Sequence, residues 1–229
     1  MGLEAELAAA RDLDVAALAN SIETIGFECT RCGACCKGHG EDHTATVFPD
    51  EVREIQDAEY DWRDVARPMP FGLPEDAHDD EETPKAETFE WALRTDSCGD
   101  CTFYAHGDGD DSGACTIYGD RPLICRTYPF SIGDGDERQH DESGGLGTTE
   151  PMGGVVEQEG MVRAHECEGL GRDISREDAE ELAATLKQRT IRELEEAIGV
   201  RDNYEPTDVD GVVIHDSEGQ KRPDGSVLE

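Results

Sequence analysis

The segment Cys29-Thr-Arg-Cys32-Gly-Ala-Cys35-Cys36 places four thiols within eight residues, and no other feature of the 229-residue chain constrains its folding as strongly. A C-x-x-C spacing lets two thiolates curl around one metal, Gly33 permits the tight turn, and the repeat at Cys35 brings a third sulfur to the same place. Cys35 and Cys36 are adjacent, so their side chains diverge. They are better suited to two metal centres, or to one polynuclear centre, than to two corners of one mononuclear site. Four cysteines packed merely as small hydrophobes would not need this spacing. The remaining cysteines are Cys98, Cys101, Cys115, Cys125 and Cys167, nine in all, so at least one stands outside any paired or four-ligand scheme.

Whether the thiols are free to bind metal depends on the compartment. Residues 1–12 are acidic where a secretory signal would be basic and then apolar, and no stretch approaches the ~18 apolar residues of a membrane span. A cytoplasmic chain is expected, in which cysteines point to metal or redox chemistry before disulfides. The formal charge is −35, from 55 acidic and 20 basic residues, and only four of the bases are lysines. Such a chain repels phosphates and anionic lipid, so neither nucleic acid nor membrane is an expected partner. Acid excess with scarce Lys is the surface of a protein adapted to a salty, halophilic cytoplasm, where counterions screen the self-repulsion.

Apolar spacing predicts a helix over residues 3–25, with Leu3, Leu7, Ala10, Ala17, Leu18, Ile22 and Ile25 on one face and Leu13 and Val15 off it; Gly26 stops it just before the cysteines. A second helix is predicted from Pro49 to about Asp64, capped by Asp50. Residues 68–85 read as an irregular Pro-rich acidic loop. Phe89, Trp91 and Leu93 alternate as in a half-buried strand. Two short strands or turns flank the acidic loop between His106 and Ala114, and a hairpin at 155–162 delivers the chain to Cys167. Ser175 and Asp178 have the spacing of a capping box before a helix ended by Gly199. Beyond residue 200 the chain is polar apart from Val212–Ile214, which would form either a docked strand or part of a disordered tail.

The second cysteine cluster reads Cys115-Thr-Ile-Tyr118-Gly-Asp-Arg121-Pro122-Leu-Ile-Cys125-Arg126-Thr-Tyr128-Pro129-Phe130. Following an upstream C-x-x-C-x-x-C-C, this C-x-I-Y-x-x-R-P-x-x-C-R-x-Y-P-F run resembles the YkgJ family of cysteine-cluster proteins. The likeness extends from Cys29 through Cys101 to Cys167-Glu-Gly-Leu-Gly. It implies a zinc- or iron-chelating domain whose ligands are Cys29, Cys32, Cys35, Cys36, Cys101, Cys115, Cys125 and Cys167. Flagellin lysine methylases carry a similar cysteine domain, so the resemblance spans enzymes and non-enzymes. Eight thiolates make two sets of four, as two zinc sites or two iron–sulfur clusters would use. The adjacent pair favours iron–sulfur, although the Cys-Pro that completes the ferredoxin run is replaced by Cys125-Arg126. Cys98 departs from the family pattern and is the expected outsider, unless it joins Cys101 as a C-x-x-C pair.

Arg121 and Arg126 flank Cys125 and would offset the negative charge of a thiolate centre and donate to its sulfurs, or else pair with some of the acids. Tyr118, Tyr128 and Phe130 are expected to pack as core around the centre. His165 and His39 are conceivable substitute ligands, but solvated or outer positions suit them better. Asp108-x-Asp110-x-Ser112-Gly113 starts like a calcium loop but has Gly119 in place of its closing Glu. Ser143-Gly-Gly-Leu-Gly147 lacks the lysine of a phosphate loop.

These readings converge on a small, irregular α+β cysteine-rich domain over residues 1–200 with flanking helices, followed by a polar tail over 201–229. Metal supplies folding free energy that a modest core cannot. The expected role is metal binding, through iron–sulfur or zinc, in electron transfer or metal handling with a protein partner. An iron–sulfur-dependent oxidoreductase or methyl-transfer enzyme and a structural zinc module are the alternatives.

Overall fold

Asp14 divides the expected N-terminal helix in two. Its carboxylate accepts the N–H of Ala16 at 2.9 Å and so starts a new helix. The computed structural model describes residues 2–38, 44–56, 60–69, 85–107, 113–133 and 153–228. Along the chain come α1 (Leu3–Asp12), α2 (Val15–Ile25), β1 (Thr46–Val47), α3 (Pro49–Gln56), α4 (Trp62–Val65) and β2 (Ala66–Pro68). Then follow β3 (Ala86–Thr88), β4 (Trp91–Leu93), β5 (Tyr104–Ala105), β6 (Ala114–Cys115), α5 (Leu123–Thr127) and β7 (Phe130–Ile132). The series closes with β8 (Val155–Glu159), β9 (Val162–His165), α6 (Arg176–Asn203), β10 (Val212–Asp216) and β11 (Gly219–Lys221). The class is α+β, as expected. No described helix is long and apolar enough to cross a membrane.

The chain forms two compact units. The first comprises Met1–Cys35, Asp108–Gly113 and Leu123–Glu195. Its sheet has the order β7-β9-β8, all antiparallel, and α2 packs on β8 and β9. Leu18, Ile22 and Ile25 of α2 are buried in this unit with Phe130, Ile132, Val162 and Ala164, each large side chain contributing about 1.5–3 kcal/mol by burial. Leu13, expected off the apolar face, is buried, and Ala17, expected on it, is exposed, because the break re-phases the two helices. Ser175 supplies one half of the expected capping box, with Asp178 N–H donating to Ser175 Oγ at 3.1 Å, and the Ser175 hydroxyl donates in turn to Asp178 Oδ2 at 2.6 Å.

The second unit comprises Cys36–Gly107, Ala114–Pro122 and Glu196–Glu229. Pro49 is the first helical residue of α3, where a missing N–H costs nothing. Asp50 is therefore not the cap; Glu51 reaches back to the Phe48 N–H at 3.0 Å. The helix predicted to Asp64 ends at Gln56, and Asp61 N–H donating to Asp64 Oδ2 opens the separate α4. Residues 86–94 make two strands in different sheets, β1-β4-β2 and β11-β10-β3. All three residues of β4 are buried, unlike the half-buried alternation expected.

The polar tail contains a hairpin, β10–β11. Val212, Val213 and Ile214 are buried, and β10 pairs in parallel with β3. The boundary expected at residue 200 falls inside α6, which runs past Gly199 to Asn203. Gly199 is required by a close approach and not by a helix end: a Cβ there would stand 2.6 Å from that of Ser217. Trp91 Nε1 donates to Asp216 Oδ2 at 2.9 Å, and buried Lys221 lies 2.7 Å from both Asp216 and Glu218.

Arg53 grips Glu218 with two hydrogen bonds, at 3.1 and 2.5 Å, which together with Lys221 hold its carboxyl down at about 2. A carboxyl depressed by folding stabilises above its ordinary value of 4.5 and loses that contribution as pH falls towards 2. In acid titrations, Glu218→Gln should be less stable than the wild-type chain above pH 4.5, with the difference shrinking to nothing near pH 2. A constant gap across that window would contradict the assignment.

Candidate metal centre

In the first unit, the segment entering the cysteine run is bound along its backbone to the segment leaving Cys167. Phe27 and Leu170 form an antiparallel bridge, Glu28 N–H donates to Gly169 O at 3.0 Å, and Gly171 N–H donates to Gly26 O at 3.0 Å. The Thr30 hydroxyl adds a hydrogen bond to the Glu168 carboxylate. Two glycines make the approach possible. A Cβ on Gly169 would stand 2.4 Å from Glu28 O, and one on Gly26, where φ is +76°, would stand 2.6 Å from Arg172 O. Gly26→Ala should therefore destabilise the first unit by roughly 1–3 kcal/mol, read from denaturant unfolding. An unchanged midpoint would show that this zipper does not hold the site.

Past the zipper the backbone takes left-handed values at Arg31 (φ 57°) and Gly33 (φ 73°) and closes into a 3-10 turn over Ala34–Cys36. These turns bring Cys29, Cys32 and Cys35 within electrostatic reach of Cys167. Burial pushes the Cys167 thiol up, and the three neighbouring thiols push it further; Gly169 N–H, donating to Cys167 Sγ at 3.4 Å, opposes them. Tyr128 sits in the same field. Its phenol is raised by burial and by Cys167, Cys35 and Cys32, and it donates to Glu166 O at 2.5 Å. Expected only as core packing, Tyr128 thus ties the segment after Cys125 to the residue before Cys167.

In the second unit the backbone joins three further cysteines. Cys101 N–H donates to Cys36 O at 2.9 Å, Tyr104 N–H donates to Cys101 O at 2.9 Å, and Tyr104 pairs with Cys115 between β5 and β6. Cys101 is buried, whereas Cys98 is exposed in a turn closed by Asp96, whose carboxylate accepts the N–H groups of Cys98 and Asp100. Cys125 lies on α5 of the first unit and is half-buried. None of the nine cysteines is in a disulfide. Cys35 belongs to the first unit and Cys36 to the second.

The other predicted residues sort as follows. Arg121 donates to Tyr118 O at 3.0 Å and lies 3.8 Å above the Tyr118 ring, so Tyr118 is an exposed platform for a guanidinium and not core. Arg126 is exposed on α5. Phe130 is fully buried against Phe27, edge to face at 5.4 Å. His165 is buried, not solvated, and both its ring nitrogens are engaged, by Ser131 Oγ at 2.9 Å and Gly153 O at 3.0 Å. His39, Ser143–Gly147 and residues 108–112 of the calcium-like loop lie outside the described residues.

As the side chains stand, no group of three or more Cys, His, Asp or Glu among the described residues is closed tightly enough to hold an ion. The donors nevertheless suit a soft cation. Thiolate sulfur selects zinc and iron–sulfur iron, and a cation among these thiols would oppose the burial and the neighbouring thiols that raise Cys167. Binding would then draw in the side chains that the backbone has already gathered.

Compared with known proteins, the chain matches no curated protein and no solved structure. A family model described as "CxxCxxCC: Putative zinc- or iron-chelating domain" matches residues 28–168. That match begins one residue before Cys29, ends one after Cys167 and takes in every cysteine discussed above. Covering well over half of the chain, it shows that this protein belongs to the CxxCxxCC family.

Proposed function

We propose that the protein is a thiolate metal-binding protein in which Cys29, Cys32, Cys35, Cys36, Cys101, Cys115, Cys125 and Cys167 hold iron–sulfur clusters or zinc. The observation that carries this reading is the gathering of Cys29, Cys32, Cys35 and Cys167 in one unit, through a backbone zipper whose two glycines leave no room for a side chain. The grouping of Cys36, Cys101 and Cys115 in the other unit favours a second centre.

Iron–sulfur is the preferred occupant, because an adjacent cysteine pair serves two or polynuclear centres best, and such a centre would suit electron transfer or metal handling with a protein partner. When bound, the metal supplies charge that keeps the thiols deprotonated. The chain's own residues orient the donors: Gly169 N–H on Cys167 Sγ, and Tyr128 on the carbonyl preceding Cys167. The reducing cytoplasm is the fitting compartment for cysteines that form no disulfide.

The visible spectrum of protein purified without oxygen, with acid-labile sulfide measured on the same sample, tests the preference. A brown chromophore that bleaches in air, with sulfide present, is the expected result. A colourless, sulfide-free protein carrying zinc would overturn it.

A further inference from the structure

Arg189 lies on α6, outside the segment that matches the family, and is 2% exposed. Its Nε donates to Glu193 Oε1 at 2.7 Å, one turn further along the helix, and Glu193 is 5% exposed. Its Nη1 donates to Thr127 Oγ1 at 3.1 Å and to Phe130 O at 3.0 Å. Thr127 Oγ1 in turn donates to Leu123 O at 2.8 Å, closing α5 around Cys125. One guanidinium therefore fixes both ends of the four-residue segment Thr127–Phe130, whose middle holds Tyr128, the phenol among the thiols.

A buried ion pair is a poor means of stabilising a helix contact, since a packed apolar pair does as well or better at lower desolvation cost. What the pair adds is direction. The fork of donors dictates where the Thr127 hydroxyl and the Phe130 carbonyl stand, and hence where Cys125 and Tyr128 are presented.

We propose that Arg189, oriented by Glu193, is a positioning residue for the thiolate centre, acting on Cys125 and Tyr128 through Thr127 and Phe130. The inference rests on the thiolate reading of the cysteines. Outer partners that orient ligands typically change metal affinity 10- to 100-fold when removed.

The test is titration of the full, reduced, metal-free chain with cobalt(II), following thiolate-to-cobalt absorption, with far-UV circular dichroism reporting the fold. Two variants remove the fork: Arg189→Met combined with Glu193→Leu, which leaves no lone buried charge, and Arg189→Lys, which keeps the charge but cannot make the forked contacts. Leu186→Ala, a cavity in the same helix, controls for lost stability. Weaker cobalt binding by roughly 10- to 100-fold and an altered absorption band are expected in the folded fork variants, with near wild-type binding in Leu186→Ala. If the double variant does not fold, Arg189→Lys decides. Wild-type affinity and spectrum in a folded fork variant, or equal weakening in Leu186→Ala, would overturn the positioning role. Failure of the wild-type chain to bind cobalt through thiolates would instead overturn the metal-binding reading on which it rests.

Discussion

Cys101→Ser is expected to lose bound metal and much of its thermal stability, while Cys98→Ser keeps both. The two residues share a C-x-x-C spacing; the family resemblance makes Cys101 the ligand and Cys98 the outsider, with a Cys98–Cys101 ligand pair as the alternative. The fold separates them. Cys101 is buried, hydrogen-bonded along its backbone to Cys36, and one strand pairing from Cys115, whereas Cys98 is exposed in a turn that Asp96 organises without it. Structural zinc in small peptides contributes roughly 10–16 kcal/mol of apparent binding free energy at neutral pH, so losing one ligand should cost more than any single core substitution. Cys29→Ser, Cys35→Ser, Cys115→Ser and Cys125→Ser should behave like Cys101→Ser. Metal analysis and thermal unfolding of the Cys98 and Cys101 variants side by side decide the matter. Loss of metal from Cys98→Ser with retention in Cys101→Ser would reverse the assignment.

The second large effect should come from salt. A charge of −35 is concentrated on a chain whose described ion pairs are mostly at the surface, such as Arg11 with Glu195 and Arg176 with Glu23. Surface pairs of this kind contribute little, and they cannot balance an acid excess this large. Raising salt from dilute buffer to molar concentrations screens the repulsion. Relief of a few kcal/mol moves the unfolding midpoint of a chain this size by roughly 10 °C. A midpoint that does not move with salt would mean that the acids serve another purpose, such as binding a basic partner.

The cysteine pattern and the hairpin leading to Cys167 were legible in the sequence because each depends on local spacing. Glu159 and Gly160 end β8 and begin the turn into β9, as the residues around them suggested. What was not legible depends on contacts between distant residues. Gly199 looks like a helix stop on local grounds, yet Ser217 packs so closely that glycine is needed within the helix. Val212–Ile214 reads as either a docked strand or part of a disordered tail, and its parallel partner, Ala86–Thr88, decides for the strand. Arg189 and Glu193 carry the ordinary i, i+4 spacing of a surface pair, and only their burial against Thr127 and Phe130 reveals a different role. Tyr128 was visible as part of the Tyr-Pro-Phe run, but its place among Cys32, Cys35 and Cys167 required the zipper between residues 26–30 and 168–171.

The central claim is that the cysteines hold metal in the folded protein, and metal content per chain measured together with a thiol count on anaerobically purified protein tests it most directly. Tightly bound iron or zinc is expected, with Cys98 the one thiol that titrates readily before denaturation and the other eight released only when metal is removed. A folded, stable, metal-free chain with all nine thiols open to titration would contradict the claim.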